Sequence, residues 1–246
     1  MLMTTNTASR TPLYLPMGDQ AIIIQFEHVI SLETNKRVQT IAYLIESSQI
    51  VGVTQLIPAF NNLTVCYDPV VIGFDELVET LKKFEGDDLE QIQINSKTLH
   101  IPVVFGGDYG PDLEEIADHA KLSIEEVVSL IQSKRYFVYM IGFIAGYPYC
   151  GDIDPRLSLP RRANPRGKVE KGTIQIVNNL TGIFTMTAPS GWHIVGWTPM
   201  EIFNPKSDPP SLLQAGDYIQ YIPISEEEAQ RWNQDSQREW DQKWNM

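Results

Sequence analysis

Beyond a polar first dozen residues, short apolar runs alternate with turn residues along the chain. Residues 21–26 follow the turn Gly18-Asp19 and form a short apolar run of strand type. Between Ser31 and Ser47, Val38, Ile41, Ala42 and Ile45 recur at helical spacing. Residues 51–57 and 63–67 read as two strands joined across residues 58–62. Phe74, Leu77, Val78, Leu81 and Phe84 line one face of a second helix, which Gly86-Asp87-Asp88 breaks, and the alternating run 89–94 closes the set. The order β-α-β-β-α-β is the split pattern of a ferredoxin-like domain.

The pattern then changes. A strand over 99–105 runs into the turn Gly106-Gly107-Asp108-Tyr109-Gly110. Leu113, Ile116, Ala117 and Ala120 line one short helix, with His119 near its C-terminus in a capping role. A capping box, Ser123 with Glu126, starts the next, which buries Ile124, Val127, Val128 and Ile131. From Tyr136 onward short strands alternate with Gly, Pro and Asn, among them 173–177, 182–187, 193–197 and 217–222. Strands at this spacing imply a β-barrel or sandwich. A second capping box, Ser225 with Glu228, opens a helical tail that puts Trp232, Trp240 and Trp244 on one face. That face docks on the protein's own barrel or on a partner, since exposed tryptophans are costly unless covered. The expected organisation is α+β: a disordered N-terminus at 1–12, a ferredoxin-like domain at 13–95, a barrel at 96–224 and the tail at 225–246.

Composition narrows the chemistry. A hydrophobic fraction of 43% over 246 residues is enough for a real core, while a net charge of −12 disfavours nucleic acid and anionic membranes as partners. The first twelve residues lack the apolar run of a signal peptide, and no stretch reaches the roughly 18 apolar residues of a spanning helix. Cys66 and Cys150 lie too far apart for a metal or redox motif and read as reduced thiols, with a single disulfide as the alternative; the expected compartment is the cytoplasm. No G-x-G, P-loop, H-E-x-x-H or G-x-S-x-G is present, and the four histidines are too scattered to propose a metal site.

What remains is the arginine-rich stretch 142–168. Arg156, Arg161, Arg162, Arg166 and Lys168 fall within thirteen residues with no acid among them. Like charges this close cost on the order of 1 kcal/mol per near pair at solvent-like dielectric. A charge-assisted hydrogen bond to an anion returns roughly 1.5–3 kcal/mol. The cluster therefore meets an anion: a phosphate, a carboxylate or an acidic protein surface. Upstream, Gly142, Gly146 and Gly151 stand among Tyr147 and Tyr149, a loop in which backbone could approach a ligand beside an aromatic wall. The bland alternative is a surface loop with solvated arginines. Asp152 and Asp154 read as acids for catalysis or as partners for Arg156 and Arg161, and His193, after Trp192, as a general base or a structural histidine. Cys150 within the loop could be a reactive thiol, although no histidine is near it in sequence.

Several of these segments resemble a known family. Gly18-Asp19, the run from Val65 to Pro69, and the run from Ile101 through Gly106-Gly107 to Pro111-Asp112 and Glu114 are similar to its landmarks. So are Tyr147-Pro148-Tyr149, Asp154-Pro155-Arg156, Pro160-Arg161-Arg162-Ala163-Asn164-Pro165-Arg166, Thr181-Gly182-Ile183 and Gly191-Trp192. The chain resembles the family of the 5-oxoprolinase B subunit, also called allophanate hydrolase subunit 1 or KipI-like, from about Tyr14 to Ile224. That resemblance implies a ferredoxin-like domain followed by a cyclophilin-like β-barrel. It also implies work with two partners, a homologous barrel protein (the C subunit) and a lactam-opening protein (the A subunit), in ATP-dependent conversion of 5-oxoproline to glutamate. The ATP, with Mg2+, would be shared with the partner. Arg156, Arg161, Arg162 and Arg166 would then hold phosphate or carboxylate, with Tyr147, Tyr149, Thr181 and Trp192 shaping the pocket. His193 and Asp154 are the catalytic candidates, and no metal ligands are assigned. One branch of the family instead binds and inhibits a histidine kinase, which is the alternative reading. The chain departs from the family pattern at Asn178-Asn179-Leu180, where paired glycines are usual, and at Trp197, where an arginine is.

Overall fold

The computed structural model describes residues 11–85 and 96–245. The chain divides into two compact units, Met1–Asn95 and Ser96–Met246. In the first, the elements are β1 (Leu13–Pro16), β2 (Ala21–Gln25), α1 (Leu32–Ser47), β3 (Val53–Pro58), β4 (Asn62–Tyr67) and α2 (Phe74–Leu81), the last prolonged by a 3-10 turn, Lys82–Phe84. The strands form an antiparallel sheet in the order β1-β2-β4-β3. Period-two alternation buries Ile22 and Ile24 on β2 and Leu63, Val65 and Tyr67 on β4. These share a core with Val38, Ile41 and Ile45 of α1 and with Leu77 and Leu81 of α2. Ser31 starts α1 by accepting the Thr34 N–H at 3.1 Å.

One strand of this unit was not expected. β1 has four residues, its last a proline, and its exposed Leu13 and Leu15 give no clear alternation, yet it forms a hairpin with β2 and takes up that edge of the sheet. The run 89–94, expected as the closing strand, lies outside the described residues, as do residues 1–10 of the expected disordered terminus.

The second unit begins with β5 (Thr98–Phe105), α3 (Leu113–Ala120), α4 (Ile124–Gln132), β6 (Tyr136–Ile141) and β7 (Pro148–Gly151). It continues with β8 (Arg166–Val169), β9 (Thr173–Val177), β10 (Leu180–Ile183), β11 (Ala188–Ser190), β12 (His193–Trp197) and β13 (Tyr218–Pro223), and ends with α5 (Glu226–Gln230) and α6 (Gln234–Trp244). Seven strands close a barrel in the order β10-β7-β6-β13-β5-β12-β9. β13 and β5 are the parallel pair, with Tyr218 opposite Thr98 and Pro223 opposite Val103. β8 and β11 form a separate two-stranded ribbon. The barrel residues Ile101, Val103, Val138, Ile174, Ile176, Val195 and Ile219 share one core with Leu113 and Ile116 of α3 and Val127 and Ile131 of α4. Burying each such side chain contributes about 1.5–3 kcal/mol.

Two further expectations are corrected. The strand expected over 182–187 stops at Ile183, because Thr185 turns its hydroxyl to the Ala145 carbonyl at 2.6 Å and the chain re-enters strand only at Ala188. The tail is two helices rather than one: Asn233 recaps the chain by accepting the N–H groups of Asp235 and Ser236. Its tryptophans cover the chain's own barrel. Trp232 packs on the barrel core, Trp240 Nε1 donates to the His100 carbonyl at 2.8 Å, and the Trp244 ring lies 5.4 Å from that of His100. Both cysteines are free; Cys150 is fully buried on β7, and burial pushes its thiol well up. Among the described residues no helix is long and apolar enough to cross a membrane.

Candidate functional site

Of the five cations in the arginine segment, four meet carboxylates of the chain itself. Asp154 caps the 3-10 turn Pro155–Leu157 and accepts from Arg156 three times, from the backbone N–H at 3.0 Å, Nε at 2.9 Å and Nη2 at 2.8 Å. The Arg156 hydrogen bonds hold the Asp154 carboxyl down at about 2. Arg162 and Arg166 both reach Asp112, and Lys168 pairs with Glu170. Among the described residues Arg161 makes no ion pair or side-chain hydrogen bond.

Asp112 is the centre of this arrangement. It sits at the N-terminus of α3 and is only 4% exposed. Its two oxygens accept from Arg162 Nη1 at 2.8 Å, from Arg166 Nη1 and Nη2 at 2.8 Å each, and from the Ile194 N–H at 2.7 Å. Burial alone would raise its pKa. The Arg166 hydrogen bonds, the Ile194 N–H and the two guanidinium charges outweigh burial and hold the carboxyl below its ordinary value. Arg162 Nη1 also donates to Glu115 at 3.0 Å.

His193, on β12, is 2% exposed. Its Nε2 donates to the Pro160 carbonyl at 2.9 Å, which leaves Nδ1 turned toward Glu115 at 3.6 Å, an ion pair only when the ring is protonated. Two polar atoms of this network, Arg162 Nε and His193 Nδ1, are buried without a hydrogen-bond partner. Each such group costs about 1–3 kcal/mol.

An aromatic wall stands beside the segment. Tyr147, just before β7, lies 5.0 Å from Tyr149 and 6.2 Å from Trp192, and Tyr149 lies 5.8 Å from Trp192, all edge-on. Phe184 and Phe143 extend it, at 5.4 and 5.9 Å from Tyr147. The buried Gln175 fixes this wall from within, donating to the Tyr147 hydroxyl at 3.2 Å and accepting from Ser190 Oγ at 2.7 Å; Ser190 in turn accepts the Trp192 N–H. Burial raises the Tyr147 and Tyr149 hydroxyls, and the charge of Arg161 pulls against that shift at both. The Arg161 Cβ is 3.9 Å from where a Cβ on Gly191 would stand, next to Trp192.

The structure thus brings together Arg161, Tyr147, Tyr149 and Trp192, with Arg162, Arg166 and His193 behind them in the Asp112 network. Thr181 lies inside the barrel, where its hydroxyl donates to the Gln175 carbonyl at 3.1 Å and shares a 2.8 Å hydrogen bond with the Tyr221 hydroxyl. Asp154 and Arg156 form their own surface pair. The glycines near the wall serve the chain's own packing: a Cβ on Gly146 would strike the Phe203 ring, and one on Gly182 would meet the Tyr147 hydroxyl. Asp112, Glu115 and Gln175 were not singled out from sequence as site residues. Asp112 stood just before a helical pattern, the usual place for a capping acid, and no local spacing links it to arginines 50 and 54 residues away.

A family model, "Carboxyltransferase domain, subdomain C and D", matches residues 12–213. The 5-oxoprolinase B subunit of Bacillus subtilis (strain 168) is 35% identical over 230 residues, covering 89% of this chain and 96% of the relative. The 5-oxoprolinase B subunit of Escherichia coli O157:H7 is also 35% identical, covering 88% and 98%. Among solved structures, TTHA0988 superimposes with a TM-score of 0.75 at 29% identity over 84% of this chain, which spans 40% of the length of that protein. The chain belongs to the carboxyltransferase subdomain C and D family, in the group that holds the B subunits of 5-oxoprolinase.

Proposed function

We propose that this chain is the B subunit of a cytoplasmic, ATP-dependent 5-oxoprolinase-type complex, converting 5-oxoproline to glutamate together with a homologous barrel protein, the C subunit, and a lactam-opening protein, the A subunit. The observation that carries the reading is near end-to-end similarity to proteins named as the B subunit of 5-oxoprolinase. The same reading takes the first unit as ferredoxin-like, with β1 at the sheet edge, and the barrel as cyclophilin-like.

A triphosphate with Mg2+ does not fit the arginine segment of this chain. Arg156, Arg162, Arg166 and Lys168 already meet carboxylates, so one guanidinium would face several phosphate charges. Among the described residues no group of three His, Cys, Asp or Glu side chains stands ready for a metal ion. The reading therefore assigns nucleotide binding to a partner chain and lactam contacts to this one. The departures from the family pattern do not favour the kinase-regulator alternative. Asn178 takes the positive φ of 48° in the two-residue turn between β9 and β10, a conformation asparagine tolerates. Trp197 seals a turn by donating to the Lys171 carbonyl at 2.9 Å and lying 5.6 Å from Tyr109. Neither residue belongs to the aromatic wall. The test is glutamate production from 5-oxoproline and ATP after mixing this chain with its cognate A and C subunits. Absence of turnover with the complete set would sink the reading, and capture of a histidine kinase without the C subunit would favour the alternative.

A further inference from the structure

We infer that α6 is a displaceable strap that closes the barrel where β5 and β12 part, with Asp241 as the positioning residue that aims its two clasps. Among the described residues β12 reaches β5 at two places, Trp197 opposite Val104 and Gly196 opposite Phe105. Toward its start β5 pairs with β13 on one side, and on the other its backbone faces α6. The His100 N–H donates to Asn245 Oδ1 at 2.7 Å, and the His100 carbonyl accepts from Trp240 Nε1 at 2.8 Å. Pro102, the next residue on that side by the period of the strand, has no N–H to offer another strand. An edge left open in a barrel wall exposes backbone groups that need partners. Here the side chains of a helix supply them.

The same helix holds the other side of the opening. Gln237 Oε1 accepts the N–H of Glu201, just past the end of β12, at 3.4 Å. Asp241 stands between the two clasps. Its Oδ1 accepts from Asn245 Nδ2 at 2.8 Å and its Oδ2 from Gln237 Nε2 at 3.4 Å, which turns both amide oxygens toward the backbone N–H groups they receive. Gln237, Trp240, Asp241, Trp244 and Asn245 thus form one stripe at helical spacing. The hold is light: α6 buries no side chain fully, and Trp244 Nε1 is buried without a hydrogen-bond partner. Such a helix can lift as one piece, leaving a groove along β5 that fits the same stripe of two indoles and two amides astride a carboxylate.

The test is residue-resolved amide hydrogen exchange on the whole chain, as wild type, D241N and N245A, together with binding of a labelled peptide of residues 225–245. D241N leaves one oxygen where the two amides each need one. Its His100 and Glu201 amides should exchange about 10-fold faster than wild type or more, although residue 241 reaches them only through Asn245 and Gln237. N245A removes the β5 clasp and leaves Gln237 in place, and it should speed the same two amides together, because the strap lifts as a unit. Amides of β10 should stay within about 2-fold of wild type, which separates opening of the seam from unfolding. The peptide should bind D241N about 10-fold or more tightly than wild type, whose own α6 fills the groove. Four outcomes would overturn the inference: no change at His100 and Glu201 in D241N, a rise at one of the two without the other in either variant, an equal rise along β10, or a peptide that binds both chains alike or neither.

Discussion

Replacing Asp112 by Asn removes the charge at the centre of the arginine network while keeping its volume. Asp112 is almost fully buried and accepts four hydrogen bonds, three of them from guanidinium groups. Breaking a buried ion pair from one side costs about 3–5 kcal/mol. Arg162 and Arg166 keep roughly a quarter of their side-chain surface in water, which softens the loss toward about 3 kcal/mol. For a chain of this size that is a fall in melting temperature of about 6–12 °C. Acid should erase the difference. A carboxyl whose folded pKa is depressed contributes stability in full above its unfolded value, near 3.8 here, and loses it as pH falls through the folded value. Thermal melts from pH 7 down to pH 2 should therefore show D112N well below wild type at neutral pH and the two converging in strong acid. A shift under about 2 °C at pH 7, or one that does not shrink in acid, would refute the central place given to this carboxylate.

Three other outcomes are expected. Thr181→Val strips the Tyr221 hydroxyl of its partner inside the barrel and should cost about 1–3 kcal/mol in urea unfolding, far more than a surface threonine. Cys150, fully buried with its thiol pushed up, should resist a thiol reagent in the folded protein and react on denaturation, whereas the partly exposed Cys66 should react first. Trp240→Ala removes the hydrogen bond to His100 and the ring between Trp232 and Trp244, so limited proteolysis should cut after the barrel at a rate several-fold above wild type.

Much of this architecture can be read locally. The periodicity of Val38, Ile41 and Ile45 and the capping boxes at Ser123 and Ser225 mark helix positions within a residue or two of those observed, because both signals act within one or two turns. The turn residues that bound them mark β9 and β12 in the same way. Other features escape a reading by windows. β1 is four residues long and becomes a strand only because β2 offers it an edge. The parallel pairing of β5 with β13, which closes the barrel, joins segments about 120 residues apart. In the candidate site, the arginine run was conspicuous by charge, but its division into paired and unpaired members depends on Asp112 and Glu115, which the fold brings from α3. An excess of cations in sequence became, once folded, a mostly neutralised network in which, among the described residues, the Arg161 guanidinium has no ion pair.

The most direct measurement is a titration of this chain into fixed amounts of its cognate A and C subunits with 5-oxoproline and ATP, following glutamate release. The proposed role predicts no glutamate without the chain and a rate that rises with it to a plateau at a fixed ratio to the C subunit. A rate that stays at zero, or one already complete before the chain is added, would contradict that assignment.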